Sequence, residues 1–232
     1  MTTASSHGTA VRPTRPGRRV APPEGAAIQP SLLDLGEEVG LRPLRAGLRR
    51  TVLTDGAWID HRPGWLEGSA QVLDTLLTDV PWRAELRQMY ERVVDVPRLV
   101  CLYADGAPLP VPVLEAAREE LSAHYAAELG EPFRTAGLCL YRDGRDSVAW
   151  HGDTIGRGAK QDTMVAILSV GDTRPLHLRP RGGGPSIRVP LGHGDLVVMG
   201  GSCQRTWEHA IPKTARPVGP RVSIQFRPHG VA

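Results

Sequence analysis

Residues 137–142 read GLCLYR, and from there onward the spacing of apolar residues shortens. Short apolar runs follow as SVAWHGD (147–153), MVAILSV (164–170), LHLRPR (176–181), SIRVPL (186–191), DLVVMGG (195–201), RTWEHAI (205–211) and RVSIQFR (221–227). Gly, Pro and Asp turn residues separate them, so each run predicts a strand. A series of about eight strands over roughly residues 136–228 has the size of a jelly roll or small barrel.

Upstream of residue 136 the period is helical. In LEGSAQVLDTLLTDV (66–80), Leu66, Ala70, Leu73, Leu77 and Val80 recur at three- and four-residue steps. In VLEAAREELSAHYAAELG (113–130), Leu114, Ala117, Leu121 and Tyr125 do the same before Gly130 supplies a stop signal. Each segment predicts a helix with one buried face. The fold class expected is therefore α+β, a jelly-roll core with N-terminal helices packed outside it.

With 232 residues, of which 41% are hydrophobic, the chain can bury a continuous core, so a folded domain over residues 31–232 is expected. Its helical and hairpin part covers about 31–135 and its strand core about 136–228. Residues 1–30 are rich in Pro, Ala, Gly and Thr, carry Arg12, Arg15, Arg18 and Arg19, and contain no acid before Glu24. Such a segment buries too little apolar surface to offset its ordering entropy, and a disordered basic tail able to brush nucleic acid is expected. No run approaches the roughly 18 apolar residues that cross a bilayer, and no apolar secretory leader is present, so a cytoplasmic monomer with no membrane contact is expected. Cys101, Cys139 and Cys203 are odd in number and widely spaced, which predicts reduced thiols rather than disulfides or a zinc site. A net charge of +3 favours a polyanionic partner without demanding one.

Residues i and i+2 of a strand point to one face, so His151 and Asp153 project side by side with Gly152 between them on the other side. His209 lies on a later strand. Two imidazoles and one carboxylate on one face form the facial triad of non-haem Fe(II) oxygenases, which leaves coordination positions open for a co-substrate and dioxygen. Read alone, His-x-Asp is more often a structural hydrogen bond. In RVSIQFR, however, Arg221, Ser223, Gln225 and Arg227 share one face while Val222, Ile224 and Phe226 share the other. Two inward guanidiniums need an anion, and a small dicarboxylic acid meets that need through paired charge-assisted hydrogen bonds. Tyr141, on the preceding strand, adds a hydroxyl.

These residues resemble the AlkB-like Fe(II)/2-oxoglutarate dioxygenases, which oxidatively remove alkyl groups from nucleic-acid bases. The pattern His-x-Asp, a distant His, then Arg-x5-Arg is that family's signature, and LGHGDLVVMGG, TWEHAIP and PRLVCLYAD look like its flanking stretches, over about residues 80–228. The resemblance implies a double-stranded β-helix core. It also implies that His151, Asp153 and His209 bind Fe(II), that Tyr141 and Arg221 hold the distal carboxylate of 2-oxoglutarate, and that Arg227 lies near the chelating carboxylate. Cys139 and Ser223 complete that cradle but stand where family members often have Asn. Thr154 and Ile155 occupy the positions after the triad Asp where repair members commonly place an acid, so base preference is not inherited.

The implied reaction uses Fe(II), O2 and 2-oxoglutarate, with ascorbate in assays, and yields succinate, CO2, formaldehyde and a restored base. The substrate expected is DNA carrying alkylated bases such as 1-methyladenine or 3-methylcytosine, with RNA as an alternative, single-stranded or with the base flipped out. Tyr103 and Trp207 are candidates to stack on that base, and Arg98, Trp150, Thr154 and Ile155 to line its path. His177 and His193 lie near turns or strand ends and read as structural or exposed rather than as ligands. GGGP (182–185) reads as a hairpin tip, since no helix or Lys-Ser/Thr follows it. Two competing readings are a 2-oxoglutarate-dependent hydroxylase of a small metabolite or protein, and a non-catalytic jelly-roll metal-binding module.

Overall fold

The computed structural model describes residues 38–89 and 92–231, the side chains of 86–95 excepted; the tail expected at 1–30 lies outside the described residues. In chain order the elements are β1 (Gly40–Leu41), β2 (Arg49–Val52), β3 (Ala57–Arg62), β4 (Leu66–Glu67), α1 (Ser69–Asp79), β5 (Arg83–Met89), β6 (Arg92–Tyr103), α2 (Pro112–His124), α3 (Ala126–Leu129) and β7 (Thr135–Tyr141). They continue as β8 (Val148–His151), β9 (Val165–Gly171), β10 (Arg174–Pro180), β11 (Ile187–Leu191), β12 (Asp195–Gly201), α4 (Cys203–Thr206), β13 (Trp207–Ile211) and β14 (Arg221–Arg227). Each expected run from residue 137 onward overlaps one of the strands β7 to β14.

The strands form a major antiparallel sheet in the order β2-β3-β12-β9-β14-β7-β6-β5 and a minor one in the order β11-β10-β13-β8. The two sheets face each other, which is the double-stranded β-helix expected. Between them lies a core to which the major sheet contributes Val165, Ile167, Val197 and Met199 and the minor sheet Leu176, Leu178 and Ile211. On the other face of the major sheet, Ala166, Leu168, Val222, Ile224 and Phe226 pack with the helix residues Val72, Leu73, Leu76 and Leu121. This two-sided burial explains MVAILSV. β9 is buried at every position, and a strand covered on both faces reads as a continuous apolar run. Full burial of a residue such as Leu76 or Leu121 contributes about 1.5–3 kcal/mol.

The first expected helix starts later than its apolar spacing suggests. Leu66 belongs to β4, paired with Leu41, and Gly68 takes a φ of 62° in the left-handed region before α1 begins. The buried face of α1 is Val72, Leu73 and Leu76 rather than the stripe through Leu77. The second expected helix is interrupted at Tyr125, which is fully buried and donates its hydroxyl to Asp60 Oδ2 at 2.9 Å. Arg50 holds the same carboxylate through Nε and Nη2, at 2.8 and 2.7 Å, and Trp58 stacks on Tyr125. The N-terminal half also supplies β2, β3 and the β5–β6 hairpin to the major sheet, so it is not wholly an outer layer of helices.

Candidate active site

β8 and β13 pair with His209 directly opposite His151, and the two imidazole centroids lie 4.2 Å apart. Asp153 follows two residues after His151, with its Oδ1 3.6 Å from His151 Nε2. One ligand atom from each of the three residues falls within 4.8 Å of the others, a spacing that fits a single metal ion. The surrounding bonds select which atoms face that point. His151 Nδ1 lies 2.8 Å from the Ala149 carbonyl, which can only accept, so Nδ1 carries the proton and Nε2 offers its lone pair. Asp153 Oδ2 accepts from Arg227 Nε at 2.8 Å, leaving Oδ1 toward the imidazoles.

The Asp153 backbone N–H donates to the buried Gln204 Oε1 at 2.9 Å, which fixes the turn after β8. Gly152 sits against that support. A Cβ there would collide with the Gln204 carbonyl and lie 3.3 Å from that of Trp207, so glycine is needed for close approach. Electrostatics agree with the geometry. Burial raises the pKa of Asp153, but Arg227 first, then the imidazoles, hold the carboxyl at about 2. Burial, with His151 adding, pushes His209 down to about 3 against the pull of Asp153, which keeps the imidazole neutral as a metal ligand must be.

Beside this cluster, β14 pairs with β7 so that Arg221 faces Tyr141 and Ser223 faces Cys139. Arg221 is 1% exposed, its Nε donates to Ser169 Oγ at 2.8 Å, and its Nη1 has no partner among the described residues. Its guanidinium stands 5.3 Å from the Tyr141 ring centroid. Burial, foremost, lowers the Arg221 pKa from its ordinary value, with Tyr141 opposing it. Burial, with Cys139 adding, pushes the Tyr141 hydroxyl up to about 12 against Arg221, so it stays protonated and able to donate. A buried cation with a free donor and no carboxylate calls for an anionic ligand. Gly137 makes room for the other arginine, because a Cβ there would stand 2.9 Å from Arg227 Nη1.

The model of the 2OG-Fe(II) oxygenase superfamily matches residues 97–227, more than half of the chain and every residue just described. The alpha-ketoglutarate-dependent dioxygenase alkB homolog 3 of Mus musculus is 30% identical over 231 aligned residues, covering 87% of this chain and 74% of that protein. The chain belongs to the AlkB-like 2OG-Fe(II) oxygenases. Another relative, the DNA oxidative demethylase ALKBH2 of Homo sapiens, is 29% identical over 60% of this chain and 59% of that protein. A solved prolyl hydroxylase in complex with a hypoxia inducible factor peptide, from Trichoplax adhaerens, shares the fold at 14% identity, with a TM-score of 0.54 over 75% of this chain and 84% of that one.

AlkB-like oxygenases work with Fe(II), 2-oxoglutarate and O2, and this chain offers a donor set that fits them. A His-Asp-His cluster with open sides suits Fe(II), and the unpartnered Arg221 Nη1 suits the carboxylate of an oxo acid. Tyr141, Arg221, Ser223 and Arg227 all line one cavity of about 890 Å³ together with the three cluster residues. Cys139 is 7% exposed beneath it and lies 3.4 Å from Gln225 Nε2.

The candidate substrate residues divide. Trp150, Thr154, Ile155 and Arg98 line the cavity, and Arg179 stacks over the Trp150 ring at 4.2 Å. Arg98 lies against Cys139 and Tyr141, on the cradle side, and its Nε has no partner among the described residues. Trp207 does not join them. It is buried in the core between the sheets with Nε1 donating to Thr54 O at 3.4 Å, so it has no face free to stack on a base. Tyr103 also lies outside the cavity lining, five residues beyond Arg98 along β6, packed against the outer core. His193 is structural, its Nδ1 accepting from Gly171 N at 2.7 Å. His177 is in mid-strand rather than at a strand end, and it lines the cavity edge-on to Trp150.

Residue patterns gave no sign of Ser169, Gln204 and Arg174. Arg174 is buried and donates to the carbonyls of Asp143, Asp146 and Pro212, which holds the loop between β7 and β8. Its chain neighbours Thr173 and Pro175 carry no hint of that role.

Proposed function

We propose that this chain oxidatively removes alkyl groups from bases such as 1-methyladenine and 3-methylcytosine in DNA, with RNA as the second polymer to test. The observation that carries the reading is Arg221, a fully buried guanidinium with an unpartnered nitrogen, in the same cavity as His151, Asp153 and His209. The kinship with a protein named DNA oxidative demethylase supports a nucleic-acid substrate.

On this reading His151, Asp153 and His209 hold Fe(II). Arg221 and Tyr141 bind the distal carboxylate of 2-oxoglutarate, and Arg227 orients Asp153. Bound together, iron, 2-oxoglutarate and dioxygen supply the oxidation of an N-alkyl carbon, with succinate and CO2 as co-products. The chain's part is to fix the ligands before the substrate arrives and to admit a flipped or single-stranded base beside Trp150 and Ile155. Thr154 and Ile155, in place of an acid, also favour a second reading, hydroxylation of a small metabolite or protein.

Mass spectrometry of methylated oligonucleotides incubated with iron, ascorbate and 2-oxoglutarate separates the two. Loss of a methyl mass with formaldehyde release is expected, together with binding that weakens as salt rises through counterion release. Consumption of 2-oxoglutarate without methyl loss from any lesion transfers the chain to the second reading.

A further inference from the structure

Residues 154–158 carry the chain from the carboxylate of the metal cluster toward β9 and belong to no strand of either sheet. Thr154 and Ile155 line the cavity, and Ile155, 68% exposed, leaves an apolar side chain in water at its mouth. What holds this stretch is the segment that follows β14. Gly156 bridges Val231 in antiparallel register, the Arg157 N–H donates to the Gly230 carbonyl at 3.0 Å, and Arg157 Nε donates to the His229 carbonyl at 3.0 Å. The approach requires glycine at 156, where φ is 75° and a Cβ would collide with the Gly230 carbonyl oxygen.

The segment is anchored at both ends. Arg227 closes β14, and four residues later Val231, 5% exposed, packs into the core between the sheets. Arg157 adds a further tie through the ion pair of its Nη2 with Glu131 Oε1 at 2.5 Å, just beyond α3. Asp153 itself does not depend on these ties, because Arg227 holds its carboxylate and Gln204 its backbone N–H. The contacts from residues 229–231 act one step further on, where the chain carries Thr154 and Ile155 away from the cluster. A short stretch tied in this way has already given up conformational entropy, so less remains to be lost when a substrate binds against it.

We propose that His229–Val231 is a strap that fixes the mouth of the cavity, and that Arg157 and Val231 are positioning residues for substrate binding rather than for the metal. The use of the mouth to admit a base rests on the demethylase reading, whereas its ordering by the strap does not.

The test uses the full chain carrying Arg157→Ala or Val231→Ala, with Arg157→Lys and Val231→Ile as conservative partners. Hydrogen exchange reads the amides of residues 154–158, anaerobic calorimetry the Fe(II) affinity, and steady-state turnover the half-saturating concentration of a methylated single-stranded oligonucleotide. Both alanine variants should speed exchange at 154–158 by roughly tenfold while β9 stays unchanged, and raise half-saturation by about three- to tenfold with little change in Fe(II) affinity. The conservative variants should recover most of each change. Should Val231→Ala fail to fold, Arg157→Ala, whose side chain is 41% exposed in the wild type, carries the test. A lower melting temperature with exchange and half-saturation unchanged would reduce the segment to packing and overturn the proposal. Fe(II) affinity falling in step with oligonucleotide affinity would overturn it as well, by moving the strap's effect to the metal. If the wild type consumes 2-oxoglutarate but removes a methyl group from no lesion, the demethylase reading falls, and exchange together with the iron titration still decides the strap.

Discussion

Arg227 Nε and Asp153 Oδ2 meet at 2.8 Å, which ties the last strand of the major sheet to the carboxylate of the metal cluster. Both groups are nearly buried, with side chains 14% and 5% exposed. Removing the cation therefore leaves a desolvated carboxylate, an effect on the order of 3–5 kcal/mol for a buried pair. Arg227→Ala should raise the Asp153 pKa and weaken Fe(II) binding, with Arg227→Lys intermediate. Anaerobic calorimetric titration of Fe(II) checks this, and an unchanged affinity would show that Asp153 holds its position unaided.

Replacing any one of His151, Asp153 and His209 with Ala should abolish both turnover and the rise in melting temperature that Fe(II) gives the folded protein. The minor sheet should persist, because its apolar contacts through Leu176, Leu178 and Ile211 do not involve these side chains as anchors. Circular dichroism separates loss of metal from loss of fold. Retention of iron-dependent activity in all three variants would remove the metal assignment.

Arg221→Met offers a test with opposite signs. A buried cation whose Nη1 has no partner among the described residues opposes folding when no anion is bound, so the metal-free variant should melt at the same temperature as wild type or higher. Its 2-oxoglutarate requirement should rise steeply, by an amount on the order of 2–5 kcal/mol for loss of a charged contact. A titration showing the ordinary 2-oxoglutarate dependence in this variant would sink the cradle.

The pH dependence of the metal-free protein follows from His209. Its folded pKa, about 3, lies below that of an exposed histidine, so the unfolded chain binds the extra proton as pH falls. Stability should decline from about pH 6.5 toward about pH 3, with a slope of up to ~1.4 kcal/mol per unit. Asp153 acts lower. Its depressed pKa gives stability that is complete above about pH 4 and lost as pH falls through about 2. Urea unfolding across this range checks the slope, and His209→Gln should flatten it above pH 4.

The strand core was legible because it rests on a period, and eight runs with turn residues between them became β7 to β14. The metal cluster was legible by its residues but not by that period, since β8 ends at His151 and Asp153 reaches the cluster from the turn that Gln204 holds rather than by strand alternation. β2 was not legible, since RRTV is exposed at every position and no apolar face marks it. Trp207 shares parity with His209, but parity fixes a face and not a location along it. The strand start where Trp207 sits is roofed by Thr54. Tyr103 lies off the cavity by parity itself, because an odd step of five from Arg98 along β6 turns it to the face that Leu99 and Cys101 share with the outer core. Ser169 and Gln204 depend on partners 52 and 51 positions away, beyond the reach of any local pattern.

Because β8 has four residues and borders only β13, it is an edge of the minor sheet, held from one side. Its partner residue His209 is buried in the neighbouring strand, directly across from His151. An ion shared by these two imidazoles would therefore act as a cross-strand staple, supplying from one side the restraint that an edge strand lacks on the other. Amide hydrogens of residues 148–151 should exchange faster in the metal-free protein than in the loaded one, while those of β9, covered on both faces, stay equally slow in each. The chain would then report its own readiness to react through the backbone of this edge strand.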